Sequence, residues 1–336
     1  GQGGEHALSA LSAIGIYNNL DRSRYEVIPV AIAKSGRMFY VPDDHPFWST
    51  DDPFPIIYDD FQAPELLIST AENSSFFYLK QGDDIQPFIR PDVAFIILHG
   101  TYGEDGSIQG LLYFSRIKYI GAKILASAIC LDKELTKIIL QNAGVAVTDY
   151  QMADHYDPAE LRFPVFVKAA TGGSSVGIER VESLEELPAA IQRVGEYDPK
   201  VLLENGVEAK EIECAVMETE QGIEVAPPGQ ILLNAGQWYD YDAKFVAKIS
   251  TQVPADLSAD QLAKCQQVAK KAFRALQLNG MARIDLFVLA DSQVLVNEVN
   301  TIPGFHEISM YPKMWSQAGL SYRDLLSKLI DFRLVD

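Results

Sequence analysis

The sequence predicts an α/β protein organised as three units, and three observations carry that prediction. The run from Asp92 to Leu98 is apolar from Val93 onward, as in a strand buried on both faces, and it ends in the loop His99-Gly100-Thr101-Tyr102-Gly103-Glu104-Asp105-Gly106. Residues 5 to 20 carry Ala7, Leu8, Leu11, Ile14 and Ile16 at roughly helical spacing straight after a glycine turn. The strand Pro164 to Ala169 enters a second glycine turn, Thr171-Gly172-Gly173-Ser174-Ser175-Val176-Gly177.

Taken in order, Gly1-Gln2-Gly3-Gly4 runs directly into the first helix, so the first strand of this unit is expected to be missing. Glu26 to Ala33 reads as a strand after a polar turn, and with the Asp92 to Leu98 strand it predicts a parallel α/β domain over 1-124. A helix from Ser127 to Asn142 stops at Gly144 and opens a central unit over 125-203. The last unit, 204-336, alternates strands at Glu211 to Met217, Met281 to Leu289 and Gln293 to Asn300 with a helix from about Ser258 to Gln277, after the strand Val201 to Glu204 that straddles its start. Residues 221 to 254, with Pro227-Pro228-Gly229 and little periodicity, predict a long loop or lid.

Charge narrows the function. With 28 basic against 46 acidic residues the formal charge is −18, which repels nucleic acid and anionic membrane, so any phosphate bound must be small and locally welcomed. Cys130, Cys214 and Cys265 are too scattered for a disulfide framework or zinc ribbon and read as small buried hydrophobes of a reducing compartment. The longest apolar runs are too short to cross a bilayer and no secretory segment opens the chain, which predicts a cytoplasmic protein.

The chemistry concentrates between Met281 and Asn300. If Asp291-Ser292 is a two-residue hairpin loop, Asp285 faces Glu298, Arg283 faces Asn300, and all four lie on one face. Two carboxylates and an amide oxygen make the hard donor set that holds Mg²⁺ against phosphates, with Arg283 beside them to stabilise developing negative charge. Alone, such a hairpin reads more readily as a solvated face with ordinary cross-strand charge pairs, and it is the other motifs that reverse this. The second glycine turn offers backbone N-H groups and two hydroxyls to phosphate, without the Walker pattern. Lys168 on the strand before it is either an inward cation or the exposed end of its strand; Lys137 is a second cation or part of a solvated helix face.

His99-Gly100-x-x-Gly103-Glu104-Asp105-Gly106-x-x-Gln109-Gly110 resembles the HGxxGEDGxxQG signature of D-alanine-D-alanine ligases, which have the ATP-grasp fold with a Rossmann-like N-terminal domain. Further matches are Ser127-Ala128-x-x-x-Asp132-Lys133, Val167-Lys168 leading to Gly173-Ser174-Ser175-Val176-Gly177, Tyr239-Asp240-Tyr241-Asp242-Ala243-Lys244, and Glu298-Val299-Asn300-Thr301-x-Pro303-Gly304. The resemblance implies that Lys137 and Lys168 contact ATP phosphates, that Glu204 and Glu211 lie at the nucleotide hinge and ribose, and that Asp285, Glu298 and Asn300 hold two Mg²⁺ ions, with Mn²⁺ as a substitute. It implies further that Glu5 binds the first D-alanine's ammonium and forms a network with Ser174. Arg283 and the backbone near Gly304 would stabilise the tetrahedral intermediate, and Lys244 would close on the phosphates. His99, Ser309 and Met310 would help seat substrate. Simpler readings are a helix-terminal acid for Glu5 and a helix cap for Ser309. The family is usually homodimeric.

Phe245 follows Lys244 where most members have tyrosine, and Ala169 follows Lys168 where many have proline. The missing hydroxyl removes a hydrogen bond worth roughly 1 kcal/mol, enough to change substrate discrimination several-fold. Ligases that make D-alanyl-D-lactate in lactic acid bacteria resemble the chain at Tyr241-x-x-Lys244-Phe245, so D-lactate is expected as second substrate beside D-alanine.

Overall fold

The computed structural model describes residues 3–50, 52, 54–71, 74–172, 177–232 and 250–335. The expected first helix is present as α1 (His6–Asn19). The parallel sheet expected behind it is largely replaced. The strands β1 (Val30–Ile32), β2 (Met38–Tyr40), β3 (Glu65–Ile68), β4 (Phe77–Gln81) and β5 (Asp84–Ile89) pair in chain order, every pair antiparallel. Turns too short for a crossover impose this on two of the pairs, where Gly36 (φ 93°) joins β1 to β2 and Gly82 (φ 61°) joins β4 to β5. Among the described strands before Ile124, parallel pairing joins β6 (Val93–Phe95) to β7 (Lys118–Ile120), connected through α2 (Ser107–Phe114).

The helix expected from Ser127 to Asn142 divides into α3 (Ile124–Leu131) and α4 (Lys133–Asn142), because Asp132 leaves helical geometry and its carboxylate caps α4 by accepting from the Leu135 N-H. Next come β8 (Tyr150–Met152), β9 (Val165–Ala169), β10 (Ile178–Val181), α5 (Leu187–Val194) and β11 (Val201–Asn205). They form an antiparallel sheet in the order β10-β9-β11-β8, with α5 packing Leu187, Ala190 and Val194 onto Val165, Val167 and Leu203.

A six-stranded sheet comprises β12 (Ala209–Thr219), β13 (Gly222–Val225), β14 (Gly229–Leu232), β15 (Ser250–Gln252), β16 (Met281–Leu289) and β17 (Val294–Asn300). The expected lid over 221 to 254 therefore contains three short strands, which carry too few residues to reveal a period; residues 233–249 lie outside the described part. One face of the sheet is apolar. There Ile212, Cys214, Val216, Ile284 and Leu286 meet Cys265, Ala269 and Phe273 of α6 (Ala259–Ala275). Ser258 opens α6 with a reciprocal capping box to Gln261. Two final helices, α7 (Met310–Gln317) and α8 (Tyr322–Val335), pack Tyr311, Met314, Leu325 and Leu329 against Ala215, Met217 and Met281 near one end of the other face. All three cysteines are buried and free, as their scatter suggested.

The β16-β17 register is reached by a different route from the expected one. Arg283 pairs with Asn300 and Asp285 with Glu298, but the turn is not the two-residue loop Asp291-Ser292. Leu289 and Gln293 close a longer turn in which Ser292 has φ 65°. An irregularity between Asp285 and Leu286, where β17 contributes Asn297 as an extra residue, compensates for it.

Candidate active site

Antiparallel pairing of β9 with β11 brings Lys168 level with Leu202, two places from Glu204. Lys168 Nζ donates to Glu204 Oε1 at 2.5 Å, and Lys137 Nζ, reaching in from α4, lies 2.8 Å from Glu204 Oε2 and donates to Thr148 Oγ1 at 2.5 Å. With Lys137 only 1% exposed and Lys168 9%, the solvated-face and strand-end alternatives do not hold. Burial opposes ionisation of Glu204, but the two ammonium groups outweigh it and hold the carboxyl down to about 2. Burial also pushes Lys137 down.

A third cation stands beside these two. Lys133, at the start of α4, donates to the carbonyls of Ala169 (3.3 Å), Ala170 (3.5 Å) and Gly172 at the root of the second glycine turn, and burial pushes it down to about 8. Sequence alone gives Lys133 no task beyond its place in the Ser127 to Lys133 motif, because a charged residue at a helix start ordinarily faces water.

The non-core face of the third sheet carries a row of carboxylates. Glu213, Asp285 and Glu298 sit side by side on β12, β16 and β17. Arg283 donates from Nε and Nη2 to the two oxygens of Asp285, each at 2.7 Å, while its Nε is 3.4 Å from Glu213 Oε2. Asn300 Nδ2 donates to Asp285 at 3.0 Å. The oxygens of Asp285, Glu298 and Asn300 thus have the hard-donor chemistry of a Mg²⁺ site, once Arg283 yields the Asp285 carboxylate. Among the described residues no three His, Cys, Asp or Glu side chains form a metal cage, so a cation here needs further oxygens, such as those of a substrate phosphate. The fields of Glu298 and Glu204 both reach Lys133 and Lys137, which joins this row to the lysine group.

At the other end, Glu5 stands at the N-terminus of α1 without capping it and points towards Gly100, where a Cβ would lie 3.0 Å from Glu5 Oε2; Gly100 also has φ 74°. Glu104 accepts from the N-H groups of Gly100 and Ile302, both at 2.9 Å, stapling the loop that follows His99 to the segment after β17. Burial and then the charge of Glu5 push Glu104 up to about 7, and Arg283 lies within range to oppose them. The His99 ring donates from Nδ1 to the Ile302 carbonyl (2.9 Å) and accepts at Nε2 from Ser12 Oγ (3.1 Å), which itself accepts the Phe305 N-H (3.2 Å).

Ser309 occupies the N-cap position of α7, but its side chain makes no cap bond; its hydroxyl instead lies 3.1 Å from where a Cβ on Gly304 would stand. Met310 is buried against Gly229. Glu211 lies in the third sheet, on β12 opposite Phe287, whereas Glu204 belongs to the second. Ser174, Lys244 and Phe245 fall outside the described residues. The sequence reading assigned no task to Glu213 or Ser12. Glu213 alternates with Glu211 along β12, a signal available to periodicity, while Ser12 had no local signal because its partners lie far along the chain.

Two family models match this chain: D-ala D-ala ligase N-terminus over residues 1–122 and D-ala D-ala ligase C-terminus over residues 139–331. A D-alanine--D-alanine ligase of Proteus mirabilis is 39% identical over 345 residues, covering 99% of this chain and 93% of the relative. Among solved structures, the D-alanine-D-alanine ligase from Coxiella burnetii superposes with a TM-score of 0.85 at 33% identity, over 100% of this chain and 92% of that one. The VanG D-Ala:D-Ser ligase from Enterococcus faecalis superposes with a TM-score of 0.84 at 28% identity, over 99% of this chain and 96% of that one.

Proposed function

This chain belongs to the D-alanine-D-alanine ligase family of ATP-dependent enzymes, and from that premise we propose the following division of labour among its residues. The enzyme activates D-alanine as a D-alanyl phosphate and joins it to a second small D-substrate. The observation that carries this reading is a series of charged groups, some paired and the rest within one another's electrostatic reach, from Lys137, Lys168 and Glu204, through Glu298 and Asp285, to Arg283, Glu104 and Glu5. It presents cations where a polyphosphate needs them and a carboxylate where an amino group needs one.

Lys137 and Lys168 bind ATP phosphates, with Glu204 and Glu211 towards the adenine and ribose, in the cleft between the second and third sheets. Asp285, Glu298 and Asn300 would hold the Mg²⁺ ions, or Mn²⁺ in their place, which would supply charge neutralisation to the phosphates. Glu5 receives the ammonium of the first D-alanine, and the His99 ring, fixed by Ile302 and Ser12, supports the wall of that pocket. Arg283 and the backbone near Gly304 face the oxygen that becomes negative in the tetrahedral intermediate. The Ser309 hydroxyl, not used as a cap, and Met310 seat the second substrate's carboxylate end. Ser174 and Lys244 complete the closed site from the two segments outside the described residues.

For the second substrate we infer that D-lactate is accepted beside D-alanine, on the ground that Phe245 lacks the hydroxyl usual at its position. The further proposals are a cytoplasmic homodimer with domains over 1-124, 125-203 and 204-336, supplying a peptidoglycan precursor terminus. Among the described residues no helix is long and apolar enough to cross a membrane.

Product analysis by mass spectrometry tests the reading. With ATP, Mg²⁺ and D-alanine, alone or with equimolar D-lactate, D-alanyl-D-lactate near neutral pH is expected alongside the dipeptide. Dipeptide alone overturns the D-lactate assignment and makes the enzyme a strict D-alanine-D-alanine ligase. Absence of both products identifies a nucleotide binder without ligase chemistry.

A further inference from the structure

Arg283 is placed between two carboxylates on adjacent strands. Asp285, on its own strand, takes two hydrogen bonds of 2.7 Å, and Glu213, across on β12, has Oε2 3.4 Å from Nε. Both carboxylates are inside the protein, Glu213 at 3% exposure and Asp285 at 9%. Their strands pair so that Glu213 is directly level with Asp285, leaving the guanidinium one pleat away from both. Arg283 itself is 9% exposed, so its charge needs an anion in every state of the site.

The proposed function assigns Asp285 to a divalent cation, and in the present geometry the Arg283 guanidinium, bonded to both Asp285 oxygens, fills the side of the carboxylate on which a chelating cation would sit. We propose that Glu213 is a positioning residue that receives the Arg283 guanidinium when Asp285 is drawn to the cation. The transfer is short. A modest rotation about the end of the arginine side chain exchanges a two-point contact with Asp285 for one with Glu213, while the charged edge used on the substrate stays within the site. Glu213 thereby makes release of Asp285 inexpensive, since no buried arginine is stranded. This inference rests on the metal assignment of the preceding section.

The test combines a crystal structure of the wild-type chain bound to Mg²⁺ and a non-hydrolysable ATP analogue with Mn²⁺ titration followed by electron paramagnetic resonance. In the complex, Arg283 is expected within hydrogen-bond distance of Glu213 with Asp285 released. Glu213→Gln, with that analogue present, is expected to raise the Mn²⁺ dissociation constant about tenfold, one decade of binding free energy. Its affinity for the analogue without metal should change less than twofold. Glu213→Asp keeps the charge but withdraws the carboxylate; it too should weaken Mn²⁺ binding, whereas a purely long-range charge effect leaves it like the wild type. Arg283 still on Asp285 in a metal-bound complex, or unchanged Mn²⁺ affinity in both variants, overturns the proposal. If the variants do not fold, as judged by circular dichroism, the wild-type complex alone decides. A wild-type chain that binds no divalent cation overturns the metal assignment and this proposal together, which distinguishes that failure from metal binding with an unmoved arginine.

Discussion

Lys137 and Lys168 share one carboxylate: each approaches a different oxygen of Glu204, so a single buried anion holds two buried cations that come from different elements. The two lysines proposed to face the ATP phosphates are therefore already drawn to one point.

Replacing that carboxylate has a pH signature. Glu204 is held at about 2 against an ordinary 4.5, so its stabilising contribution is fully present above 4.5 and is lost as pH falls through 2. Glu204→Gln should remove this acid-side loss, and at neutral pH it should destabilise the protein by about 3 to 5 kcal/mol, the usual cost of stranding buried charge. Urea unfolding between pH 2 and 7 reads both effects.

Glu104 behaves in the opposite sense. Its folded value of about 7 lies above the ordinary 4.5, so the protonated form favours folding; that contribution is full below 4.5 and disappears as pH rises through 7. Glu104→Gln should flatten the part of the melting-temperature profile that falls between pH 5 and 8. An unchanged slope would exclude Glu104 as its source.

Gly100→Ala places a methyl group against Glu5 in a left-handed backbone conformation. The conformational cost alone is about 1 to 2 kcal/mol. Displacement of Glu5 should raise KM for D-alanine while KM for ATP stays within twofold, measured by ADP release under varied concentrations of each.

Ser258→Ala provides the contrasting control. It removes the N-cap of α6, on the apolar face away from the charged row, and should cost about 1 kcal/mol of stability. Activity per folded molecule, assayed well below the melting transition, should not change.

The legible parts were those written in local order. Strand alternation groups Arg283 with Asp285 and Glu298 with Asn300, and the extra residue Asn297 restores the register between the two strands that the longer turn would otherwise have shifted by one, so all four share a face. The Ser258 helix start and the stop at Gly144 were likewise local signals. The antiparallel first sheet was missed because β1 and β2 have three residues each, too few to show alternation. Burial of Lys137 was left open for a different reason: its partners Thr148 and Glu204 lie beyond the helix that carries it, and only the tertiary fold brings them to it.

The extra residue in β17 divides the hairpin mechanically into a tip and a base. From Leu286 outward the strands follow one pairing, and from Asp285 inward they follow another, with Asn297 taking up the difference. Length changes at the tip, around Asp291 and Ser292, can thus be absorbed without disturbing the base. Deletion of Val299 would instead consume the extra residue, bring Glu298 opposite Ile284 and turn it from the carboxylate face into the apolar layer under α6. The hairpin accordingly confines its tolerance for editing to the end farthest from the chemistry.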